Sequence, residues 1–471
     1  GIRGGSATVH FPIWHQEIED IIVLKNNKGT EDNRVRKLDY SIQLSKLFYA
    51  RFIADGKISL FSPHDVPGLY DAFGTEDFDE LYEEYERSDV PRKTVKAQEL
   101  ILDLLKERAE TGRIYIMNID HCNSHSSFTD KVEMSNLCQE ITLPTKPVQH
   151  IDDENGEIAL CILSAINIGK IRDVQDLETL CDLSVRSLDE LIDFQRYPVK
   201  AAEIATRARR SLGIGFIGLA HYLAKQGVKY DDPKAWKLVH DLTESFQYFL
   251  IKSSVNLAKE KGACEYSNRT KYSHGILPID TYKKDIDEIV PNNLNHDWES
   301  LREELKQYGI RNSTLTAQMP SESSSVVSNA TNGIEPPRGY LSIKKSKKGP
   351  LKQIVPSYNT LKNNYTLLWD MKSNKGYINI VSVMQKFFDQ GISGNWSYNP
   401  QHYEGSEVPT SVMAQDLLTT YKYGWKTSYY QNTYDVKTDE VESDTQENQL
   451  DTLIGDIMSS DQEEVCESCA I

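Results

Sequence analysis

The spacing of apolar residues alternates between a helical period and short runs that are typical of strands. From Asp176 to Phe194, apolar residues recur every three or four positions and form one stripe that includes Cys181. The same period predicts further helices at 41–53, 97–109, 236–261 and 298–308. Apolar runs predict strands at 113–119, 157–168, 314–319 and 425–430. Because helices and strands alternate over most of the chain, we predict an α/β fold.

The composition is that of a globular protein with a large core. The 471 residues are 39% hydrophobic and include 25 tyrosines and 13 phenylalanines, which excludes a disulfide-stapled miniprotein and argues against global disorder. No apolar run approaches the roughly 20 residues of a membrane span, and the first residues lack the apolar stretch of a secretory signal. Seven scattered cysteines do not form the pattern of a secreted disulfide framework. We therefore expect a reduced, cytoplasmic protein.

Negative charge is concentrated at the C-terminus. Lys and Arg number 53 against 70 Asp and Glu, for a net charge of −17, and twelve acidic residues with one lysine fall between Asp435 and Ile471. That stretch has no aromatic residue, so we predict that 435–471 is a flexible acidic tail and that 1–434 holds the folded part. The charge opposes general affinity for nucleic acid or membranes, although a free nucleotide needs only a local binding site.

A glycine motif and a group of metal-binding residue types have weaker support. Residues 212–218 read LGIGFIG, a G-x-G-x-x-G pattern, but they follow a basic, helix-like stretch and no acidic ribose partner stands out downstream. We interpret these glycines as close packing of a helix. His121, Cys122 and His125 lack a fourth ligand at zinc-like spacing, so no metal is expected there. Cys264 has no partner in sequence and is interpreted as a structural thiol.

The segment MSNLCQEITLPTK, residues 134–146, carries the most informative side chains. In an extended conformation, Asn136, Cys138 and Glu140 would point to one side of the chain. Together they offer a hydrogen-bonding amide, a reactive sulfur and a proton acceptor. An ordinary loop is the alternative that the spacing leaves open.

Three other segments have both a structural and a chemical interpretation. Cys161 lies in an apolar run and, taken alone, is a core cysteine, whereas Cys466 and Cys469 lie in the acidic tail, where a redox pair is favoured over zinc shared with another chain. In QMPSESSS, residues 318–325, the start of a helix would bind an anion or would simply be capped. The neighbours Tyr429 and Tyr430 are either packing residues or a relay for an electron and a proton.

Together these segments resemble the large (α) subunit of class I, aerobic ribonucleotide reductase. The resemblance extends from Gly1 to Tyr434 and rests on SNLCQE, GEIALCILSAIN, MPSESSS, SNATNGIEPPRGY, KTSYYQNT and the C-terminal cysteine pair. It implies a ten-stranded α/β barrel, built of two five-stranded halves around a central finger loop, with a C-terminal subdomain. It also implies reduction of ribonucleoside diphosphates by a thiyl radical, in support of deoxyribonucleotide synthesis.

The resemblance implies a role for each matching residue. Cys138 would be the thiyl radical, Glu140 would take a proton from the 3′-hydroxyl group, Asn136 would hold the hydroxyl groups, and Cys161 would be one of two reducing thiols. Tyr429 and Tyr430 would relay the radical. The substrate would be bound by Asn136, Leu137, Cys138, Gln139, Glu140, Pro320, Ser321, Glu322, Ser323 and Ser324.

The remaining implied roles concern the chain ends. Cys466 and Cys469 would re-reduce the active-site disulfide and pass its oxidation to thioredoxin or glutaredoxin, although their C-x-x-C spacing is narrower than in many relatives. Arg3 would belong to the end of the specificity loop, near the base of the substrate and the effector.

The resemblance also implies partners. The ATP-binding cone, the first barrel strands and the partner of Cys161 are not found in the sequence, so we expect the C-terminal part of a split large subunit that acts with a separate N-terminal chain. We expect no cofactor bound in this chain, a tyrosyl radical and di-iron centre on the small (β) subunit, and nucleotide effectors such as ATP at the interface with the N-terminal part. The alternatives are a thiol–disulfide enzyme acting on another substrate and a non-catalytic scaffold or regulatory subunit; the presence of Asn136, Cys138 and Glu140 counts against the scaffold.

Overall fold

The computed structural model describes residues 5–346 and 349–435. Arg3, Cys466, Cys469 and almost all of the predicted acidic tail lie outside these residues. The described chain is an α/β structure, as predicted. Its α-helices are α1 (Ile18–Ile21), α2 (Lys46–Ile53), α3 (Leu69–Ala72), α4 (Phe78–Arg87), α5 (Ala97–Thr111), α6 (Ile119–Ser124), α7 (Asp176–Phe194), α8 (Lys200–Arg209), α9 (Leu219–Lys225), α10 (Pro233–Lys261), α11 (Pro278–Thr281), α12 (Trp298–Tyr308), α13 (Glu322–Val327), α14 (Tyr358–Leu361), α15 (Lys375–Gln385) and α16 (Thr410–Lys422).

The strands are short and several are joined by isolated bridges rather than long ladders. They are β1 (Thr8–Pro12), β2 (Asp39–Leu44), β3 (Lys57–Leu60), β4 (Lys93–Lys96), β5 (Ile114–Asn118), β6 (Ile162–Asn167), β7 (Leu212–Ile217), β8 (Leu341–Ser346), β9 (Gly349–Ile354), β10 (Trp396–Tyr398), β11 (Thr427–Ser428) and β12 (Gln431–Thr433). One sheet has four strands in the order β1-β2-β5-β11, in which the first three are parallel and β11 is antiparallel to β5. Strand β6 pairs with β7 in parallel.

Two extended segments connect these sheets into one continuous arc. Segment 314–318 bridges to β7 at Thr316 and to segment 390–394 at Gln318. Segment 390–394 then reaches the end of β11, where the amide of Tyr429 donates to the carbonyl of Gly394 at 2.7 Å. The arc therefore runs β6, β7, 314–318, 390–394, β11, β5, β2, β1. Within the described residues it does not close into a barrel.

Some sequence predictions are confirmed and others are wrong. Helices α7 and α12 have the predicted bounds, and α5 and α10 differ by three residues or fewer at each end. The helix predicted at 41–53 is wrong in its first half, because residues 39–44 form the fully buried strand β2. A strand buried on both faces has no alternation of polar and apolar residues, so its pattern resembles that of a buried helix. The strand predicted at 314–319 is present only as an extended, bridged segment.

The interpretation of LGIGFIG as a helix is also wrong. Residues 212–217 form β7, and Gly218, with φ of 81°, leads into α9. The glycines still serve close packing, but between strands. A Cβ atom on Gly215 would lie 2.6 Å from the carbonyl oxygen of Ala317, and one on Gly213 would lie 2.6 Å from Cys161 Sγ. Since the glycines lie within the strand rather than after it, the motif does not form a dinucleotide-binding turn.

Helices cover the outside of the arc and bury a large aromatic core. Trp14, Trp396 and Trp425 are each 1% exposed or less, and the completely buried Arg108 has its guanidinium 4.6 Å from the ring centre of Trp396. Cys181 is buried in the stripe of α7, as predicted. No helix in the described residues is both long and apolar enough to cross a lipid bilayer.

Candidate active site

The predicted reactive segment is a turn at the centre of the arc, not an extended strand. The amide of Gln139 donates to the carbonyl of Asn136 at 3.3 Å, and Gln139 has φ of 73°. The amide of Ile141 donates to Asn136 Oδ1 at 3.0 Å. The extended conformation predicted for this segment is therefore wrong. The turn nevertheless brings the Asn136 and Glu140 side chains into hydrogen-bond contact.

The turn is held from several sides of the arc. Hydroxyl and amide groups from β1, β2, β11 and segment 390–394 donate to it, and these contacts fix its backbone at residues 137–140. They are Thr8 Oγ1 to Leu137 O (2.9 Å), Ser393 Oγ to Cys138 O (2.6 Å), Thr427 Oγ1 to Gln139 O (2.8 Å), Gly391 N to Glu140 O (2.8 Å) and Ser41 Oγ to Gln139 Oε1 (2.9 Å). The side chain of Gln139 is completely buried by these contacts.

Burial raises the pKa of both ionisable groups of the turn. Burial, and then the Glu140 carboxylate, raise the pKa of the half-buried Cys138 thiol to about 11, against an opposing hydrogen bond from Tyr429. Burial also raises the pKa of Glu140, which is 3% exposed, although hydrogen bonds from Asn136 and Ser393 oppose the shift. Cys138 is therefore a thiol rather than a thiolate near neutral pH.

The two adjacent tyrosines stack on each other and lead to this thiol. Their ring centroids are 3.8 Å apart with an interplanar angle of 29°. The Tyr429 hydroxyl donates to Cys138 Sγ at 3.3 Å. The two residues have their carbonyls held by the buried guanidinium of Arg108, at 2.7 Å and 3.2 Å. The Tyr115 ring packs on Tyr429 at 4.8 Å, and the Arg113 guanidinium lies 4.9 Å from the Tyr430 ring centre.

Cys161 precedes β6 and is half-buried. Gln390 Nε2 donates to its sulfur at 3.7 Å and to the carbonyl of Leu212 at 2.9 Å. Burial raises the pKa of the Cys161 thiol well above its ordinary value, and the negative charge of Glu140 adds to the shift. Glu140 therefore lies close enough to affect both thiols electrostatically. All five described cysteines are free of disulfide bonds.

A cavity of about 800 Å³ lies next to the tyrosine pair. Its lining includes Pro320 and Glu322 on one side and Ser393, Tyr429 and Tyr430 on another. Ser321 is buried at the start of α13, whereas Ser323 and Ser324 are exposed. Cys138, Asn136 and Cys161 are not among the lining residues. The cavity reaches the reactive turn through two residues that do line it: Ser393 donates to Glu140 Oε2 at 3.0 Å, and Tyr429 donates to Cys138 Sγ.

The three residues of metal-binding type, His121, Cys122 and His125, have partners within the fold. The ring of His125 is hydrogen-bonded to Thr281 Oγ1 at 2.8 Å and to the carbonyl of Gln385 at 2.7 Å. The His121 ring stacks on Tyr421, and the Cys122 thiol donates to the carbonyl of Lys426 at 3.7 Å. Each of the three side chains therefore packs or forms hydrogen bonds within the fold.

The sequence model of the family described as "Ribonucleotide reductase, barrel domain" matches residues 1–431. The chain belongs to this family. The resemblance drawn from the sequence is thereby confirmed.

Several relatives are ribonucleoside-diphosphate reductase alpha subunits. The subunit alpha of Haemophilus influenzae is 59% identical over 441 residues, which cover 92% of this chain and 58% of that protein. The reductase 1 subunit alpha of Escherichia coli is 53% identical over 476 residues, covering 100% of this chain and 61% of that protein. The subunit alpha of phage T4 is 46% identical over 457 residues, covering 94% and 60%. The chain thus spans about three-fifths of the length of these relatives.

Several contacts of this ribonucleotide reductase barrel domain were not predicted from the sequence. Tyr115 was within reach of prediction, because alternation along the predicted strand 113–119 puts it on the face opposite Ile116. Ser41, Gln390 and Ser393 gave no local signal, since each acts on a residue at least 98 positions away in the chain.

Proposed function

We propose that this chain is the catalytic part of a ribonucleotide reductase large subunit and reduces ribonucleoside diphosphates to deoxyribonucleoside diphosphates. The observation that carries the proposal is the continuous contact from Tyr430 through Tyr429 to the Cys138 sulfur. A stacked phenol pair that ends on a thiol is an arrangement for moving an electron and a proton together. The segments on both sides of Cys138 are held by hydrogen bonds, as a reacting group requires.

The protonation state of Cys138 favours radical chemistry over thiol–disulfide exchange. With a pKa of about 11, this thiol is a poor source of thiolate at neutral pH. Hydrogen-atom transfer needs the S–H bond intact. The alternative of a thiol–disulfide enzyme that uses Cys138 as its nucleophile is therefore less well supported.

We propose that the reaction begins with transfer of a hydrogen atom from Cys138 to Tyr429. An oxidised Tyr429 phenoxyl takes the hydrogen atom of the Cys138 thiol, which gives a phenol and a thiyl radical. The thiyl radical takes the 3′ hydrogen of the ribose, and the 2′-hydroxyl group leaves as water. Two thiols, one of them Cys161, each give one electron and one proton and become a disulfide. The 3′ hydrogen then returns from Cys138, and the radical returns to the tyrosines.

Glu140 and Asn136 are proposed to control the substrate hydroxyl groups. Burial moves the pKa of Glu140 toward neutral pH, and a carboxylate with a higher pKa is a stronger proton acceptor. Asn136 contacts Glu140 and would orient the same hydroxyl group by hydrogen bonds. In Gln139, by contrast, the side chain faces Ser41, so its proposed contribution to substrate binding runs through the backbone of the turn.

The cavity beside the tyrosines is proposed to hold the diphosphate. Its size falls within the range of small-ligand sites, and it includes the start of α13 with Pro320 and Glu322. We propose that backbone amides at Ser321, Ser323 and Ser324 bind the phosphates. The observed arc is proposed to be part of the ten-stranded barrel that the family implies.

The partners of this chain are also proposals. A small subunit that carries the tyrosyl radical would deliver it to Tyr430, which is the outer and less buried of the two tyrosines. The second reducing thiol would lie in the part of the relatives' length that this chain does not span. A separate N-terminal chain would supply it. Nucleotide effectors would bind at the interface between the two chains. Cys466 and Cys469 would transfer electrons from thioredoxin or glutaredoxin to the active-site disulfide.

The proposal is tested by deoxynucleotide formation from a ribonucleoside diphosphate. The chain would be assembled with a small subunit and with a polypeptide equivalent to the remainder of a relative, and the product measured by chromatography. Cys138→Ser should lower turnover on the order of 10³-fold or more, as removal of a reacting nucleophile does in other enzymes. Cys264→Ser is the control, because Cys264 lies buried outside the site. Equal turnover by Cys138→Ser and the parent would refute the proposal.

A further inference from the structure

Lys426 is a completely buried lysine next to the reactive turn. Its ammonium donates to three consecutive carbonyls, those of Phe388 (3.5 Å), Asp389 (2.8 Å) and Gln390 (3.1 Å). Among the described residues, no carboxylate oxygen forms a salt bridge with it. A buried charge without a counter-ion is costly unless its hydrogen bonds are fully used. Such a group calls for an explanation beyond general stability.

The carbonyls it binds begin a segment that contacts the side chains of Cys161 and Glu140 and the backbone of Cys138. Within residues 388–393, named here the strap, Gln390 donates to Cys161 Sγ at 3.7 Å. The amide of Gly391 donates to the carbonyl of Glu140 at 2.8 Å. Ser393 donates to the carbonyl of Cys138 at 2.6 Å and to the carboxylate of Glu140 at 3.0 Å. One short segment thus contacts Cys138, Glu140 and Cys161.

The opposite side of the strap is fixed by a buried anion. The carboxylate of Asp389 accepts hydrogen bonds from the Tyr272 hydroxyl, Gln247, the amide of Leu315 and both the amide and the hydroxyl of Thr316. These donors occupy the carboxylate, so Lys426 meets only the backbone carbonyl of Asp389. Gln385 Nε2 also donates to the carbonyls of Phe388 (3.1 Å) and Gln390 (2.9 Å), whereas the hydrogen bond to the carbonyl of Asp389 comes from Lys426. Removal of Lys426 would therefore take one donor from each of three consecutive carbonyls of the strap.

We infer that Lys426 is a positioning residue, whose side-chain nitrogen holds the strap so that Gln390 and Ser393 keep Cys161, Cys138 and Glu140 in position. The importance of this role for catalysis rests on the proposed function, whereas the hydrogen bonds of Lys426 do not depend on it. Lys426 touches none of the reacting atoms. It acts through the strap, and it also belongs to the chain stretch that continues to Thr427, which donates to the carbonyl of Gln139.

The experiment compares Lys426→Met with the parent by site-resolved alkylation of the 471-residue chain. Iodoacetamide labelling of each cysteine is followed by peptide mass spectrometry. Without Lys426, the hydrogen bonds of Gln390 to Cys161 and of Ser393 to Cys138 would loosen. Labelling of Cys138 and Cys161 should therefore accelerate on the order of tenfold, the factor that corresponds to one pKa unit of a thiol. Labelling of Cys181 and Cys264, which are buried elsewhere, should stay at the parent rate.

A matched control separates this role from the loss of any buried lysine. Lys386 is also completely buried, but its ammonium pairs with Asp287 at 3.1 Å and with Asn292 at 2.8 Å. Lys386→Met should leave the labelling of Cys138 and Cys161 unchanged. In the assembled enzyme, Lys426→Met should lower kcat on the order of 10²-fold with little change in KM, as a misplacement of reacting groups does.

Two outcomes would overturn the inference. Parent-like labelling of Cys138 and Cys161 in a folded Lys426→Met chain would show that the strap does not depend on the ammonium. Accelerated labelling of all five described cysteines would show a general structural role instead. Absence of nucleotide reduction by the parent assembly would count against the proposed function, and the labelling pattern would still decide the role of Lys426.

Discussion

At the scale of single residues, the site is defined by groups held away from their ordinary states. Gln139 has a left-handed backbone that residues with a Cβ atom seldom adopt, and its side chain and carbonyl are tied to Ser41 and Thr427. Cys138 is kept protonated by burial. The backbone of Gln139 and the burial of Cys138 both cost free energy locally. In the resulting arrangement, Cys138 Sγ lies against the Tyr429 hydroxyl. The Tyr429 hydroxyl is therefore the most direct point at which to test the site.

Tyr429→Phe removes one oxygen atom and the hydrogen bond to Cys138. Because that hydrogen bond lowers the pKa of the thiol, the pKa of Cys138 should rise above about 11 and its alkylation at a given pH should slow. Loss of the hydrogen bond should cost about 0.5–1.5 kcal/mol of stability. Nucleotide reduction should be lost, since a phenyl ring cannot carry the radical. Tyr85→Phe, on an exposed hydroxyl, is the control; parent-like turnover by Tyr429→Phe would make the pair packing residues.

At the scale of elements, the close approach of strands decides where side chains fit. Strand β7 lies between β6 and segment 314–318, and its two interior glycines face different neighbours. A Cβ atom on Gly215 would meet a backbone carbonyl, whereas one on Gly213 would meet the ends of the Cys161 and Leu163 side chains. A carbonyl in a strand cannot move alone, but a side chain can rotate. The two glycines should therefore respond differently to the same substitution.

Gly215→Ala should destabilise the chain by about 1–3 kcal/mol, the usual effect of overpacking. Gly213→Ala should cost less, because the side chains of Cys161 and Leu163 give way, but it should alter the alkylation rate of Cys161. Urea unfolding and cysteine labelling measure the two effects. Gly5→Ala, where a Cβ atom meets nothing within 4 Å, provides the baseline. Equal destabilisation by all three substitutions would contradict this account of β7.

These elements also show what the sequence can and cannot predict. The stripe of α7 has one apolar face, so its bounds were predictable from period alone. Strand β2 is buried on both faces and LGIGFIG mimics a helical packing motif, so both were misassigned. Cys138 and the tyrosines were found through family motifs, whereas Ser393 and Lys426 act on distant segments and leave no pattern in the sequence. Contacts between distant segments depend on the tertiary fold, which local periodicity does not encode.

At the scale of the whole molecule, the arc surrounds its reactive turn with buried charge. Lys426 and Asp389 are both buried, and Arg108 is buried beside the tyrosines, whose carbonyls it binds. Around the ammonium of Lys426, Cys122 and Asp389 favour its charged form and Lys271 opposes it, but loss of hydration dominates and lowers its pKa to about 7. His125 is also close enough for Lys426 to lower its pKa. The free energy of unfolding should therefore depend on pH in part through Lys426.

The direction of this pH dependence follows from the protonation of Lys426 in the folded and the unfolded chain. Between pH 7 and 10, Lys426 is charged in the unfolded chain but increasingly neutral in the folded chain, so the unfolded state binds more protons. The free energy of unfolding of the parent should then rise with pH relative to Lys426→Met, by up to about 1.4 kcal/mol per pH unit. Below pH 7 both states hold the proton, and the difference between parent and variant should be constant. Urea unfolding at pH 6, 7.5 and 9 measures it, with Lys106→Met, an exposed lysine of α5, as the control for one lost positive charge. A difference that is flat from pH 6 to 9, or that falls, would show that Lys426 keeps its ordinary charge in the folded chain.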